Sequence, residues 1–133
     1  MVLVPQLDKL IYSKHMPSLR SLAGKTKYQE YLKANITTSE CPLCERRELK
    51  KFQYWKIVEN IFPYDLIAQT HHMIVPLRHV IEVELTEEEL KELGIIKKNL
   101  IENEYDYIIE ATAKNKSIAK HFHLHLLIGI SST

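Results

Sequence analysis

The chain has 133 residues, 45% of them hydrophobic and 26% charged, with a formal net charge of +1. This balance is that of an ordinary globular domain with one core. A charge so close to neutral excludes a global field that would draw nucleic acid or an anionic membrane, so an anionic ligand has to be held by local groups.

The first residues, Met1 to Asp8, lack a basic segment followed by a long apolar run. Neither a signal peptide nor a membrane span is expected, and the expected location is the cytoplasm. Residues 1–38 read as an amphipathic helical extension: Leu7, Leu10 and Ile11 recur at helical spacing, as do Tyr28, Tyr31 and Leu32. Pro17 and Gly24 interrupt the pattern, which predicts two helices with a break between them. His15, beside Lys14, reads as a surface residue. Residues 39–133 form the main domain.

Cys41-Pro-Leu-Cys44 follows, and these are the chain's two cysteines. Two thiolates at this spacing can grip one metal ion, whereas a redox pair needs a thioredoxin-like βαβ setting that the flanking pattern does not supply. The pair is half a tetrahedral site, so the remaining ligands have to come from distant histidines.

Phe52 to Val58 is rich in β-prone residues and predicts a strand. Asn60 to Asp65 reads as a bend or short strand containing Pro63. His71 to Pro76 is a strongly apolar strand, with Arg78 and His79 just past its end. Thr86 and Glu89 make a capping box, and Leu90, Leu93, Ile96, Leu100 and Ile101 mark one stripe of a helix running to about Glu104. Gly94 weakens that helix unless something packs closely on it. Tyr105 to Ala111 predicts a further strand, and 113–117 a polar loop. Strands dominate after residue 50 with short links, so the sheet should be largely antiparallel.

The most informative stretch is His121-Phe-His-Leu-His-Leu-Leu-Ile-Gly129. Its alternation reads as a strand with Phe122, Leu124 and Leu126 facing a core. His121, His123 and His125 then share the opposite face, about 6.6–6.8 Å apart per step. No structural need explains three imidazoles in a row, which points to a metal or a nucleophile site. A single catalytic ion held by all three is disfavoured, because the outer two lie about 13 Å apart on a straight strand, while a Zn–N bond is about 2 Å long.

His121-Phe-His-Leu-His-Leu-Leu127 resembles the histidine-triad (HIT) signature, His-φ-His-φ-His-φ-φ. The segment from His72 to Val80 resembles the second recurring strand of that superfamily, His-φ-φ-φ-x-Pro-x-x-His-φ, with its proline one residue early. Cys41 and Cys44 are similar to the zinc-binding members. Asn60 to Asp65, with the long gap to His72, also resembles the galactose-1-phosphate uridylyltransferase branch, which usually has glutamine where this chain has His125. The likeness covers roughly residues 40–130. It departs from the pattern before the triad, where Asn115 to Lys120 replaces the usual Gly-Gln run, and after it, where Ile128-Gly129 replaces Pro-Arg.

The resemblance implies an α+β fold: a five-stranded antiparallel sheet with a packed helix, here carrying an N-terminal helical extension. It implies a nucleotide hydrolase or nucleotidyltransferase acting at an α-phosphorus, such as a dinucleoside polyphosphate hydrolase or a phosphoramidase. The alternative is a nucleotide- or partner-binding protein with little catalysis. It implies His123 as nucleophile, His125 at the phosphate or leaving group, and His72 near the phosphate on the neighbouring strand. Asn60 would meet the ribose and Ser117 the phosphate, with Lys116 or Lys120 replacing the missing loop, while Ile61, Phe62 and Tyr64 form either the base pocket or plain core. A structural zinc would be closed by Cys41, Cys44, His79 and His121. The implied partner is a nucleotide; no nucleic acid and no membrane is expected, and the likeness admits a homodimer.

Overall fold

The computed structural model describes residues 18–34, 41–116, 118 and 120–131. Leu7, Leu10, Ile11, His15, Pro17 and Ser117 lie outside the described residues. In chain order the elements are α1 (Leu22–Ala34), α2 (Pro42–Glu45), β1 (Glu48–Lys51), β2 (Trp55–Glu59), β3 (Ala68–Pro76), α3 (Glu87–Ile96), β4 (Tyr107–Ile109) and β5 (Leu124–Gly129). The five strands form one sheet in the order β1-β2-β3-β5-β4, with every pairing antiparallel. Among the described residues no helix is long and apolar enough to cross a membrane.

The sheet's two faces carry different loads. On one face Trp55, Ile57, Ile74, Phe122, Leu124 and Leu126 pack against Leu93, Ile96 and Ile101 of the α3 region, forming the larger core. On the other, Val58, Met73 and Val75 pack with Leu43 of α2. The strand expected from His121 begins only at Leu124, so of the three histidines His125 alone stands on β5, with its side chain on this second face; His121 and His123, in the segment leading into β5, are buried as well.

Thr86 caps α3 as its spacing predicts, with the reciprocal Glu89 bond to the Thr86 N–H. Glu89 also takes a two-pronged bond from Arg78, at 2.7 and 3.1 Å. That guanidinium, helped by the Thr86 bonds, pulls the Glu89 carboxyl down from 4.5 to about 2 against the effect of burial. Trp55 donates its indole N–H to the Glu89 carbonyl at 2.8 Å, tying α3 to β2. After Ile96 the helix loosens into a π turn, Lys97–Ile101, and a last α turn, Glu102–Glu104, which brings both Leu100 and Ile101 to the core. Leu90 is exposed and does not join that stripe.

Several expected boundaries move. The strand predicted over 52–58 begins only at Trp55, because Phe52 N–H closes a turn on the Trp55 carbonyl at 2.7 Å. The turn's next two N–H groups, of Gln53 and Tyr54, are taken by the Glu92 carboxylate of α3. β1 has no counterpart in the sequence reading: all four of its residues are exposed, so it carries no apolar alternation. The strand predicted over 105–111 shortens to Tyr107–Ile109. Gly24 is not a helix break but sits inside α1, where an added Cβ would lie 3.0 Å from the Asp65 carboxylate that binds Ser21. Its missing side chain lets α1 approach the loop before β3.

Candidate active site and metal centre

Two sites sit side by side on the second sheet face. The first gathers Cys41, Cys44, His79 and His121, whose ligand atoms all lie within 4.8 Å of one another; this cluster could hold a metal ion. Leu43, fully buried between the two cysteines, anchors α2 in the smaller core. Lys56 on β2 donates to the carbonyls of Cys44 and Arg46 at 3.1 and 3.4 Å, which ends α2 there. Phe122 N–H bonds the Val80 carbonyl at 2.8 Å and brings the loop bearing His79 beside His121.

Cys41 Sγ and Cys44 Sγ each stand 3.4 Å from His121 Nδ1, and Cys44 Sγ stands 3.3 Å from His79 Nδ1. His121 donates its Nε2–H to the Pro76 carbonyl at 3.1 Å, so Nδ1 keeps a lone pair toward the sulfurs. Burial, then the neighbouring Cys41, push the Cys44 thiol up to about 11. Two thiols and two imidazole nitrogens converging on one point suit a cation. The expected ligand residues are therefore brought together. Among the described residues no such cluster includes His123 or His125, so the triad histidines do not converge on one ion.

The second site is a cleft of about 470 Å³. His123 and His125 line it, with Tyr64 from the loop before β3, Lys116 from the loop before the triad, and Arg20, Lys25 and Tyr28 from the N-terminal segment. His123 donates its Nδ1–H to the His121 carbonyl at 2.9 Å, which leaves Nε2 as the nitrogen with the lone pair. Burial, more than the charge of Lys116, holds the His123 pKa below its ordinary value, so the ring is neutral at pH 7.

Behind it runs a chain of bonds whose protons can be assigned from its one fixed end. Tyr64 N–H donates to His71 Nδ1 at 3.0 Å, so the His71 proton is on Nε2. That N–H donates to His125 Nδ1 at 2.8 Å, which puts the His125 proton on Nε2, 3.1 Å from the Tyr64 hydroxyl. Burial, reinforced by neighbouring cations and imidazoles, drives His71 down to about 3 and His125 to about 2. His125 thus offers a neutral N–H, and positive charge in the cleft comes from Arg20, Lys25 and Lys116.

The expectation that His72 stands beside the triad is corrected here. β3 alternates, so His72 faces the larger core's side, where its Nδ1 meets the Tyr105 hydroxyl at 2.6 Å, and His71 takes the place beside His125. The signal was present in the sequence: counted from His71, Pro76 falls sixth and His79 ninth, the spacing of the recurring strand with no shift. Asn60 is buried, with Oδ1 accepting the Phe62 N–H at 2.8 Å and Nδ2 near His71 and Met73. Phe62 packs between Tyr28 and Tyr31 at 5.2 and 4.9 Å. Neither is among the residues lining the cleft, though Phe62 packs on Tyr28, which is. Lys120 is exposed and does not line it either. Tyr64, one of the residues expected around the base, does line the cleft, whereas sequence reasoning missed Arg20 and Lys25, which no local motif marks.

No protein-family model matches the chain, and no curated protein matches it closely enough to count. Solved structures do. A HIT family hydrolase from Clostridium thermocellum is similar over 73% of this chain and 96% of its own, at 22% identity and a TM-score of 0.52. A Hit-like protein is similar over 74% and 98%, at 16% identity and a TM-score of 0.50. A protein named HTC1 is similar over 95% and 84%, at 16% identity and a TM-score of 0.51. At these identities the likeness is one of fold alone, and the fold is HIT-like: an antiparallel five-stranded sheet with a helix packed on one face.

Proposed function

We propose that the protein is a nucleotide hydrolase or nucleotidyltransferase working through a covalent nucleotidyl-histidine at His123. One observation carries the reading: His123 Nδ1–H is bonded to the His121 carbonyl, in a ring that lines the cleft, where burial favours the neutral form. A neutral imidazole fixed in one tautomer is a nucleophile that needs no separate base. Its Nε2 attacks the α-phosphorus and forms a P–N bond, while the bond to the leaving group breaks with its electron pair. The N–H held by the His121 carbonyl stays in place as the ring becomes cationic. Water then attacks phosphorus, the P–N pair returns to Nε2, and one proton passes to solvent.

The same reading gives His125 the part of N–H donor to the phosphate or leaving group, with His71 setting its tautomer. Lys116 stands in for the absent Gly-Gln run. Ser117, expected at the phosphate, stays a proposal from sequence, as do Asn60 and Phe62 toward the nucleoside.

Zinc is the metal this reading assigns to the cluster. Zn–S bonds of about 2.3 Å and Zn–N bonds of about 2.0–2.1 Å give S–N edges of roughly 3.5 Å in a tetrahedron, close to the 3.3–3.4 Å separations present. Four protein ligands leave no open position, so such an ion would be structural and would brace the segment that carries His123 into β5.

The test is single-turnover cleavage of labelled nucleotides by the parent and by His123→Ala, with mass spectrometry for an adduct quenched without acid. Loss by about a thousandfold or more with nucleotide binding retained is expected, since removing a covalent nucleophile removes the step itself. Near-parental turnover, or no adduct on His123, would overturn the covalent reading and favour a binding protein.

A further inference from the structure

The N-terminal segment does more than extend the chain. Arg20 is fixed three ways: its Nε–H donates to the Phe62 carbonyl at 2.8 Å, and its guanidinium carbon lies 4.3 Å from the Tyr28 ring centre and 4.9 Å from that of Tyr64. Contacts of this kind hold the cation without neutralising it. Among the described residues no carboxylate forms an ion pair with Arg20. Asp65, the nearby acid that feels its charge, is turned to the backbone N–H and hydroxyl of Ser21. Arg78 makes the contrast, its guanidinium given over to Glu89.

Tyr64 separates Arg20 from the triad by one ring, whose centre is 4.8 Å from that of His125. Lys25, in the first turns of α1, lines the same cleft, and so does Lys116, at 3.5 Å from Glu110. No carboxylate is among the residues lining the cleft. Two cations beyond Lys116, the held Arg20 and Lys25, exceed what one α-phosphate, with a single negative charge in an ester or amidate, calls for.

The geometry points to Arg20 and Lys25 as the seat of a second phosphoryl group, making the substrate a nucleoside oligophosphate cleaved at its α–β anhydride rather than a phosphoramidate. This rests on the proposed attack by His123. The bond from the α-phosphorus to the bridging oxygen breaks, and the electron pair stays on that oxygen, which leaves as part of a phosphate. Its new negative charge develops on the side where Arg20 and Lys25 stand. A guanidinium presents parallel N–H groups to two phosphate oxygens, a fit that an amine leaving group could not use.

Equilibrium binding of the 5′-mono-, di- and triphosphates of adenosine, guanosine, uridine and cytidine to the full chain tests this. The parent should bind a diphosphate about tenfold or more tighter than the monophosphate of its preferred base, as expected for a charge-assisted pair. Arg20→Gln should bring that ratio toward one while monophosphate affinity changes little. Arg20→Lys should restore part of it. Should Arg20→Gln fail to fold, Lys25→Gln, whose side chain makes no hydrogen bond or ion pair among the described residues, should lower the ratio. A parent that binds all phosphorylation states equally or not at all, or variants that keep the parental ratio, would overturn the assignment. The His123 adduct is read separately, so a lost adduct with intact selectivity sinks the covalent reading, and an adduct without selectivity sinks this one.

Discussion

The Cys41–Cys44–His79–His121 cluster and the cleft lined by His123 and His125 share one sheet face, yet His121 and His123 are held by opposite ends of their rings. His121 gives its Nε2–H to the Pro76 carbonyl and turns Nδ1 to the sulfurs. Two residues on, His123 gives its Nδ1–H to the His121 carbonyl and keeps the Nε2 lone pair for the cleft. The side chains are chemically identical and similarly buried, so burial does not separate their roles. What separates them is which nitrogen the backbone ties down, and hence which one is left to meet a ligand.

The comparison breaks most violently at the metal cluster. Cys41→Ser should remove bound metal and lower the melting temperature together, by about 10 °C or more, because a closed tetrahedral site contributes its binding energy to folding. Chelation of the parent should reproduce the shift. Metal analysis and thermal scans on the same samples check this. Unchanged metal content in Cys41→Ser would remove that residue from the shell and weaken the distinction between the two sites.

At the cleft, the sharpest contrast is between the adjacent histidines of β3. His71→Phe removes the bond that fixes the His125 tautomer, and turnover should fall by about a hundredfold, the scale of losing a positioned proton donor. His72→Phe only gives up the bond to Tyr105 on the other face, costing about 1 kcal/mol of stability with turnover unchanged. Steady-state kinetics on both variants decides between them. Equal activity losses would mean that the sheet face does not govern function.

That pair also shows what the sequence could and could not disclose. The triad strand, the Cys-x-x-Cys turn and the α3 capping box were legible because each is a local pattern: alternation, fixed spacing, a polar residue three before its partner. His71 was legible in principle, by counting to Pro76, but two consecutive histidines hide which one faces inward until a register is chosen. β1 was not legible, since Glu48, Leu49, Lys50 and Lys51 form an exposed edge with no buried side. Arg20 and Tyr64 lie far apart in the chain and meet only through tertiary packing of α1 on the loop before β3.

Outside both sites, Glu89 offers a control on the stability readings. Its carboxyl lies at about 2 when folded against 4.5 ordinarily, so it stabilises the fold fully above about pH 4.5 and loses that contribution as pH falls through about 2. Arg78 stays charged throughout. Glu89→Gln should therefore be less stable than the parent at pH 7, by roughly 1–3 kcal/mol, and the gap should close between pH 4.5 and 2. Denaturant unfolding of the two proteins across that window tests it, and acid effects on the metal ligands cancel in the difference. A gap independent of pH would mean that the Arg78 bond is not what depresses the carboxyl.

The smallest effect is expected at Gly94, on the helix that packs under neither site. It lies inside α3 with nothing within 4 Å of where a Cβ would stand, and no described glycine has a positive φ. Nothing in its surroundings requires glycine, so it costs the helix conformational entropy with no packing return. Gly94→Ala should raise stability by about 0.5–1 kcal/mol. One feature argues the other way: the Gly94 carbonyl accepts from Lys97 N–H at the start of the π turn, and that turn brings Leu100 and Ile101 to the core. If the π turn draws on the freedom of Gly94, alanine will be neutral or destabilising, and Gly94 joins the residues that set the core register. A rise in the unfolding midpoint with an unchanged denaturant slope would instead confine its effect to helix propensity and leave both sites untouched.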